Sequence, residues 1–268
     1  MDLITRYNQE RWEALAQANV PFSRPILDLT PASARELVDP AHVMGEVGGR
    51  RVLCLTASGG QQSAAFGLLG AQVSVLDFSA TQLQRDRATA AHYGLAVETV
   101  QGDMRDLSHF ADATFDIVWH AHSIGFIPDI EPVFNEVARV LRPGGLYHLA
   151  YHNPYSHGLG GWDGKGYPMW RPYIEGSEVD SPDMNWDIEN PDGSITRVEG
   201  PHEFRHTLSA LVNGLTRRGF IILGLWEETS QDLQAQPDTW EHFKLVAAPY
   251  HSMWMLYRPD IFAAARPA

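Results

Sequence analysis

The chain has 268 residues, 44% of them hydrophobic, which suits one generous domain with a full core and argues against global disorder. A formal net charge of −13 argues against a sequence-independent grip on nucleic-acid backbones, and the one cysteine, Cys54, excludes an intramolecular disulfide. The opening stretch "MDLITRYNQERWEALA" is charged throughout with no apolar h-region, and no uncharged run nears the ~20 residues of a membrane span. A cytoplasmic protein without nucleic-acid or membrane partners is the expectation.

The pattern predicts a short amphipathic helix over 5–18 and a second over 33–47. Strands and helices then alternate. "RVLCLT" (51–56) reads as a strand, "QQSAAFGLLG" (61–70) as a helix closed by Gly70, and "AQVSVLD" (71–77) as the next strand. The following helix opens at Ser79 with Gln82 at capping-box spacing. "AVETVQGD" (96–103) and "FDIVWHAHS" (115–123) are two more strands, and Asp129 can cap a helix with Val133, Phe134, Val137 and Leu141 on one face. "RPGG" (142–145) turns the chain into a fifth strand, "LYHLAYHN" (146–153). Residues 154–200 break the rhythm: they are rich in Gly, Pro, Asp and Trp and keep no period for long, which reads as a lid or binding insertion. After a helical stripe at Leu208, Leu211, Val212 and Leu215, the strands "FIILGLWEE" (220–228) and "YHSMWMLYRP" (250–259) pair as an antiparallel hairpin around a short helix.

Strands apolar on both faces and separated by helices predict an α/β fold in one domain over 1–268. It is a doubly wound, mostly parallel, seven-stranded Rossmann-like sheet with an antiparallel C-terminal hairpin and a lid insertion after strand 5. Ligands of such sheets bind at the carboxyl ends of the strands. "RVLCLTASGGQQS" (51–63) lacks both the G-x-G-x-x-G of dinucleotide sites and the GxxxxGK[ST] of triphosphate sites, and no Tyr-x-x-x-Lys pair points to a nicotinamide oxidoreductase. Asp77 ends the second strand, where a carboxylate can hold ribose hydroxyls, and "GDM" (102–104) ends the third.

Together, "VLCLTASGG", "VSVLDFSATQL", "VQGDMRDL", "FDIVWHAHSIGFIPD" and "EVARVLRPGGLYHLAYHNP" resemble the class I S-adenosylmethionine-dependent methyltransferases, in particular their ubiquinone-biosynthesis-type small-molecule branch. The family's first loop reads like D-x-G-x-G-x-G, whereas here Cys54, Thr56 and Ser58 replace the acid and two glycines and only Gly60 matches. The resemblance implies S-adenosylmethionine as cofactor. Thr56, Ala57, Gly59, Gly60 and Gln61 would lie around its methionine part, and the His120 backbone would contact its amine. Asp77 would hold the ribose, with Phe78 flanking the adenine and Gln82 nearby. Asp103 would accept from the adenine amino group, Met104 would pack on the ring, and Tyr7 and Trp12, within N-terminal helices spanning 1–48, would fold over the cofactor.

Several histidines cluster near the ends of strands four and five, and His122 and His152 are candidate proton acceptors for a methyl acceptor's hydroxyl or amine. No HxxxH spacing or acidic triad accompanies them, so no metal site is expected. Tyr155, Trp162 and Trp170 of the 154–200 insertion, with Trp240, are candidate walls for a neutral or cationic small-molecule substrate. The expected reaction is methyl transfer to oxygen or nitrogen. The eroded first loop leaves open a protein that binds the cofactor without turnover.

Overall fold

The computed structural model describes residues 2–56, 59–179, 184–190 and 192–261. Helix α1 (Leu3–Gln17) is followed by α2 (Pro31–Val38), β1 (Arg51–Leu55), α3 (Gln62–Leu68), β2 (Gln72–Asp77), α4 (Ala80–His92), β3 (Val97–Gln101), β4 (Phe115–His120), α5 (Glu131–Val140) and β5 (Leu141–His152). Four short strands follow, β6 (Ser177–Glu178), β7 (Asn185–Glu189), β8 (Ile195–Glu199) and β9 (Phe204–Arg205). Helix α6 (Leu208–Thr216), β10 (Phe220–Glu227), α7 (Trp240–Val246) and β11 (Tyr250–Tyr257) complete the order.

The main sheet has seven strands in the order β10-β11-β5-β4-β1-β2-β3. Strands β1 to β5 pair in parallel, while β11 runs antiparallel to both β5 and β10. The doubly wound sheet and its terminal hairpin are therefore as the sequence predicts. Its two faces bury separate cores. One gathers Leu53, Val118, Phe134, Val137, Tyr147 and Leu215, and the other Val52, Cys54, Phe66, Val75, Ile117 and Trp254. Fully buried alternate residues on opposite faces explain why these strands read as continuous apolar runs. Strand order reverses between β1 and β4, so their carboxyl ends open a crevice.

Several boundaries differ from those expected, each for a local reason. Helix α2 stops at Val38 instead of 47, because Pro40 disfavours helical geometry at Asp39. The Asp39 carboxylate instead folds back to accept from the Val43 and Met44 amides at 2.8 and 2.9 Å. Strand β4 ends at His120, and His122–Phe126 form a 3₁₀ turn, held by the Asn8 side chain donating to the Phe126 carbonyl at 2.8 Å. The 154–200 insertion contains a hairpin: β7 and β8 pair antiparallel, and Ile188, with Trp186 and Val198 beside it, packs against Leu15 and Trp12 of α1. Its apolar positions alternate only across "NWDIE", whereas in "ITRVE" the inner face is Thr196 and Val198 and Ile195 is exposed, so the period-2 signal is short and broken.

Helix α2 opens with a reciprocal cap: the Ser33 amide donates to Thr30 Oγ1 at 3.2 Å and the Thr30 amide to Ser33 Oγ at 2.9 Å. Thr30→Ala is expected to lower the unfolding free energy by about 1 kcal/mol. Urea denaturation monitored by circular dichroism would read the change, and an unaltered midpoint would mean that water caps this helix equally well.

Candidate active site

A cavity of about 900 Å³ lies over the carboxyl ends of β1 to β5, roofed by α1 and the β7–β8 hairpin. It is at the large end of ligand sites, which run to about 1,000 Å³. The roof is aromatic. Trp12 meets Phe126, Phe22 and Trp186 edge-on at centroid distances of 4.9, 5.9 and 5.6 Å. Asn8 pins it down from α1, donating to the carbonyls of Phe126 and His202 and accepting from the His202 amide at 2.8 Å.

The first strand leaves the sheet at Thr56, whose amide donates to the Leu76 carbonyl at 2.7 Å and whose φ is +50°. That is left-handed backbone, costly for a β-branched residue. It accounts for the glycine that the family's pattern has at this position. Thr56 lines the cavity and its hydroxyl meets Ser123 Oγ. Ala57 lies outside the described residues. Gly59 and Gly60 stand behind the wall at φ +64° and +98°. A Cβ on Gly59 would come 2.8 Å from the Ser23 carbonyl oxygen, and one on Gly60 equally close to Thr89 Cβ. Their part is to bring the loop tight against α4. Gln61 lines the cavity, but its amide is spent on the carbonyls of Phe22 and Arg24 at 3.1 and 2.7 Å.

At the end of β2, Asp77 faces the cavity while 5% exposed. Burial pushes its carboxyl up to about 8, against the Ser79 amide hydrogen bond at 2.8 Å, which favours the ionised form. Among the described residues no cation faces this carboxylate. Phe78 and Gln82 stand beside it on the cavity wall, and Gln82 Oε1 is a buried acceptor without a donor. An acid met only by backbone amides and an amide oxygen without a donor are the chemistry that a diol and an amino group satisfy. Asp103 and Met104, after β3, also line the cavity. The Asp103 carboxylate is clasped by Arg105, with Nη2 to Oδ2 at 2.7 Å and Nε 3.1 Å from each oxygen, so one acceptor expected to be free is engaged.

Two expected residues keep their side chains out of the cavity, and for His120 the expected contact is the backbone's. Tyr7 points along the far side of α1, with its ring 4.5 Å from that of His202 and under the Arg11 guanidinium; α1 instead presents Thr5, Asn8 and Trp12 to the site. The His120 side chain is fully buried, with Nδ1 2.9 Å from the Tyr147 hydroxyl and Nε2 2.8 Å from Ser123 Oγ. Burial holds it neutral, down to about 3.

His122 and His152 come together at the other end of the cavity, ring centroids 6.3 Å apart, with Tyr250 of β11 4.7 and 4.8 Å from each. Burial pushes His122 down to about 4 and His152 to about 3, so both are neutral at physiological pH. His122 is reachable from the cavity although protein surrounds it, and among the described residues neither of its nitrogens has a hydrogen-bond partner. Glu203, Trp226, Glu227 and Glu228 close this end, and sequence reasoning missed all four. The spacing carries no sign of them, because they come from the strand edges that β9, β10 and β11 bring to the end of β5.

The expected substrate aromatics do not line the cavity. Tyr155 stacks on Tyr173 at 4.9 Å, Trp162 packs against Tyr167 and His242, and Trp170 lies under Arg171 while 62% exposed. Trp240 stacks on Phe243 and reaches the cavity only indirectly, 6.3 Å from Tyr250. The insertion's contribution to the wall is Trp186. Among the described residues, no helix is long and apolar enough to cross a membrane.

Residues 53–149 match a methyltransferase domain family. The uncharacterized methyltransferase YbaJ of Bacillus subtilis is 33% identical over 184 residues, 67% of this chain and 69% of its own. The tRNA 5-carboxymethoxyuridine methyltransferase of Escherichia coli is 27% identical over 52% of this chain, which spans about half of that protein (55%). In three dimensions an S-adenosylmethionine-dependent methyltransferase from Mesorhizobium loti superposes with a TM-score of 0.63 at 22% identity, covering 86% of this chain and 100% of its own, which establishes the common fold.

Proposed function

Because this chain belongs to the S-adenosylmethionine-dependent methyltransferases and uses that cofactor, we propose that it methylates a neutral or cationic small molecule held at the β5–β11 end of the cavity. The cofactor supplies a methyl group made electrophilic by a positively charged sulfur. Asp77, Gln82, Phe78 and Met104 bind its adenosine portion, and Thr56 borders the methionine portion. Trp12, Phe22 and Trp186 exclude water, and the acceptor is aligned for in-line displacement from the side of His122 and Tyr250. His122 takes the acceptor's proton on a ring nitrogen, since no described residue occupies either, and His152 flanks it.

One observation carries this reading. Beside Asp77, protonated in the free protein, and Asp103, neutralised by Arg105, the cavity wall holds Glu203, Glu227 and Glu228, and no Lys or Arg among the described residues. Such a site attracts the cationic cofactor and repels a carboxylate or phosphate acceptor. With the net charge of −13, it argues against an RNA substrate of the kind named for the Escherichia coli relative.

The test has two arms. Calorimetry with S-adenosylmethionine and S-adenosylhomocysteine should show binding of both. Release of S-adenosylhomocysteine should then be followed over panels of neutral alcohols and phenols, amines, carboxylates and bulk tRNA. Turnover confined to tRNA or to carboxylates would refute the acceptor class. Trp186→Ala removes edge contacts worth about 0.5–1.5 kcal/mol each, so cofactor binding should weaken by roughly tenfold and the 184–200 segment should become more sensitive to protease. Unchanged affinity would make the hairpin a static decoration.

A further inference from the structure

The fold assembles three metal-ligating side chains that the sequence keeps apart. His152 ends β5, His157 lies in the 3₁₀ turn after it, and Glu203 directly precedes β9. One ligand atom from each lies within 4.8 Å of the others. His157 Nε2 is 3.0 Å from Glu203 Oε2, and the imidazoles of His152 and His157 stack at 4.7 Å with 15° between their planes. His152 Nδ1 is buried and has no hydrogen-bond partner. His152 and Glu203 both face the cavity, beside Tyr250.

The surroundings hold this cluster in place. Asn153 donates from its side chain to the Ala248 carbonyl at 2.8 Å and from its amide to the Pro249 carbonyl at 2.9 Å. Its carbonyl accepts from the His157 amide at 3.0 Å, which folds residue 157 back over residue 152. From the other side, the Arg205 guanidinium donates to the His157 carbonyl at 3.1 Å and so ties this turn to the segment bearing Glu203. Outer contacts of this kind fix the ligands of metal sites.

We propose that His152, His157 and Glu203 form a binding site for a divalent transition ion of the zinc class at the acceptor end of the cavity. Two imidazoles and one carboxylate are a donor set for zinc and its first-row neighbours, and three protein ligands leave a coordination position open. Magnesium and calcium prefer all-oxygen sets. Ligands around a tetrahedral ion lie roughly 3.3 Å apart, so the set, already within 4.8 Å, needs only a small contraction to hold one. Because His152 and Glu203 line the cavity, an oxygen or nitrogen of the acceptor there could take the open position and be polarised. That last role rests on the methyl-transfer reading; ion binding does not.

The experiment uses the full chain, stripped with a chelator and titrated with Zn²⁺ by calorimetry and with Co²⁺ by visible absorption. About one ion per chain is expected, with the d–d bands of a four- or five-coordinate site. His157→Gln and Glu203→Gln keep the size of each side chain and should weaken binding by at least about tenfold, while His109→Ala, an exposed histidine elsewhere, should leave it unchanged. S-adenosylmethionine titrated into the same proteins reports folding and the cofactor site independently. Absence of Zn²⁺ and Co²⁺ binding in a protein that still binds the cofactor would overturn the proposal. So would metal binding that both Gln variants retain in full.

Discussion

His122→Ala is expected to cut kcat by about 10²–10⁴-fold on an acceptor that must lose a proton, with little change in cofactor affinity. The expectation comes from placement. His122 heads the 3₁₀ turn after β4, faces the cavity within contact of Tyr250, and has no protein partner for its nitrogens among the described residues. Burial lowers its pKa from 6.5 to about 4, so the ring is neutral and able to accept a proton at every pH down to that range. The sign follows: kcat of the wild type should stay level as pH falls through 6.5 and decline only toward 4, on the acidic side. A limb near 6.5 would place the base elsewhere or in open solvent. Equal kcat for wild type and variant would mean that the acceptor arrives already deprotonated, and it would remove His122 from the chemistry.

Asp77→Ala should weaken S-adenosylmethionine binding by about 1–3 kcal/mol, roughly 5- to 150-fold, through loss of hydrogen bonds to an ionised acceptor. A pH signature accompanies it. In the free protein the Asp77 carboxyl is raised to about 8 by burial, so it holds its proton at neutral pH. Donors from a ribose and the cofactor's positive charge favour the carboxylate, so binding releases a proton. Affinity should therefore rise with pH, by up to tenfold per unit, and level off above about 8. Calorimetry in buffers of different ionisation enthalpy measures that proton directly. The variant Asp77→Asn separates binding from folding. In the native state the raised pKa lowers stability as pH climbs from the unfolded value toward 8, and a neutral amide removes that penalty. Asp77→Asn should melt no lower than the wild type at pH 7 while binding the cofactor less tightly. A variant with full affinity would sink the ribose assignment.

If both results hold, the two ends of the cavity divide the work. The β2–β3 end recognises the cofactor with an acid met only by backbone amides and an amide oxygen that no donor among the described residues meets. The β5–β11 end keeps neutral imidazoles beside carboxylates and suits an acceptor that is itself uncharged or positive.

The parallel pairing of the main sheet was legible because its signal is local and repeated. Uninterrupted apolar runs such as "RVLCL" and "QVSVLD", each followed by a helix, admit few arrangements other than a parallel sheet covered on both faces. Asp77 and Met104 lie on the cavity wall for the same reason, since the residues at the end of a parallel strand must lie at its carboxyl edge, whereas Phe78 and Gln82 followed from the family resemblance. The sequence by itself thus determined the sheet and where its ligand edge runs. Only the tertiary structure decided which face of α1 meets the cavity, so Trp12 is inside and Tyr7 outside. It also decided that Arg105 occupies Asp103, and that Trp186 rather than Trp162 or Trp170 closes the roof. The acceptor end depended on it most. Glu203 lies 46 positions from its partner His157, and Tyr250 meets His152 only through the antiparallel pairing of β11 with β5. Periodicity reports which way a side chain faces within its own element, whereas a site built between elements depends on how those elements cross, and that is set by packing across the whole chain.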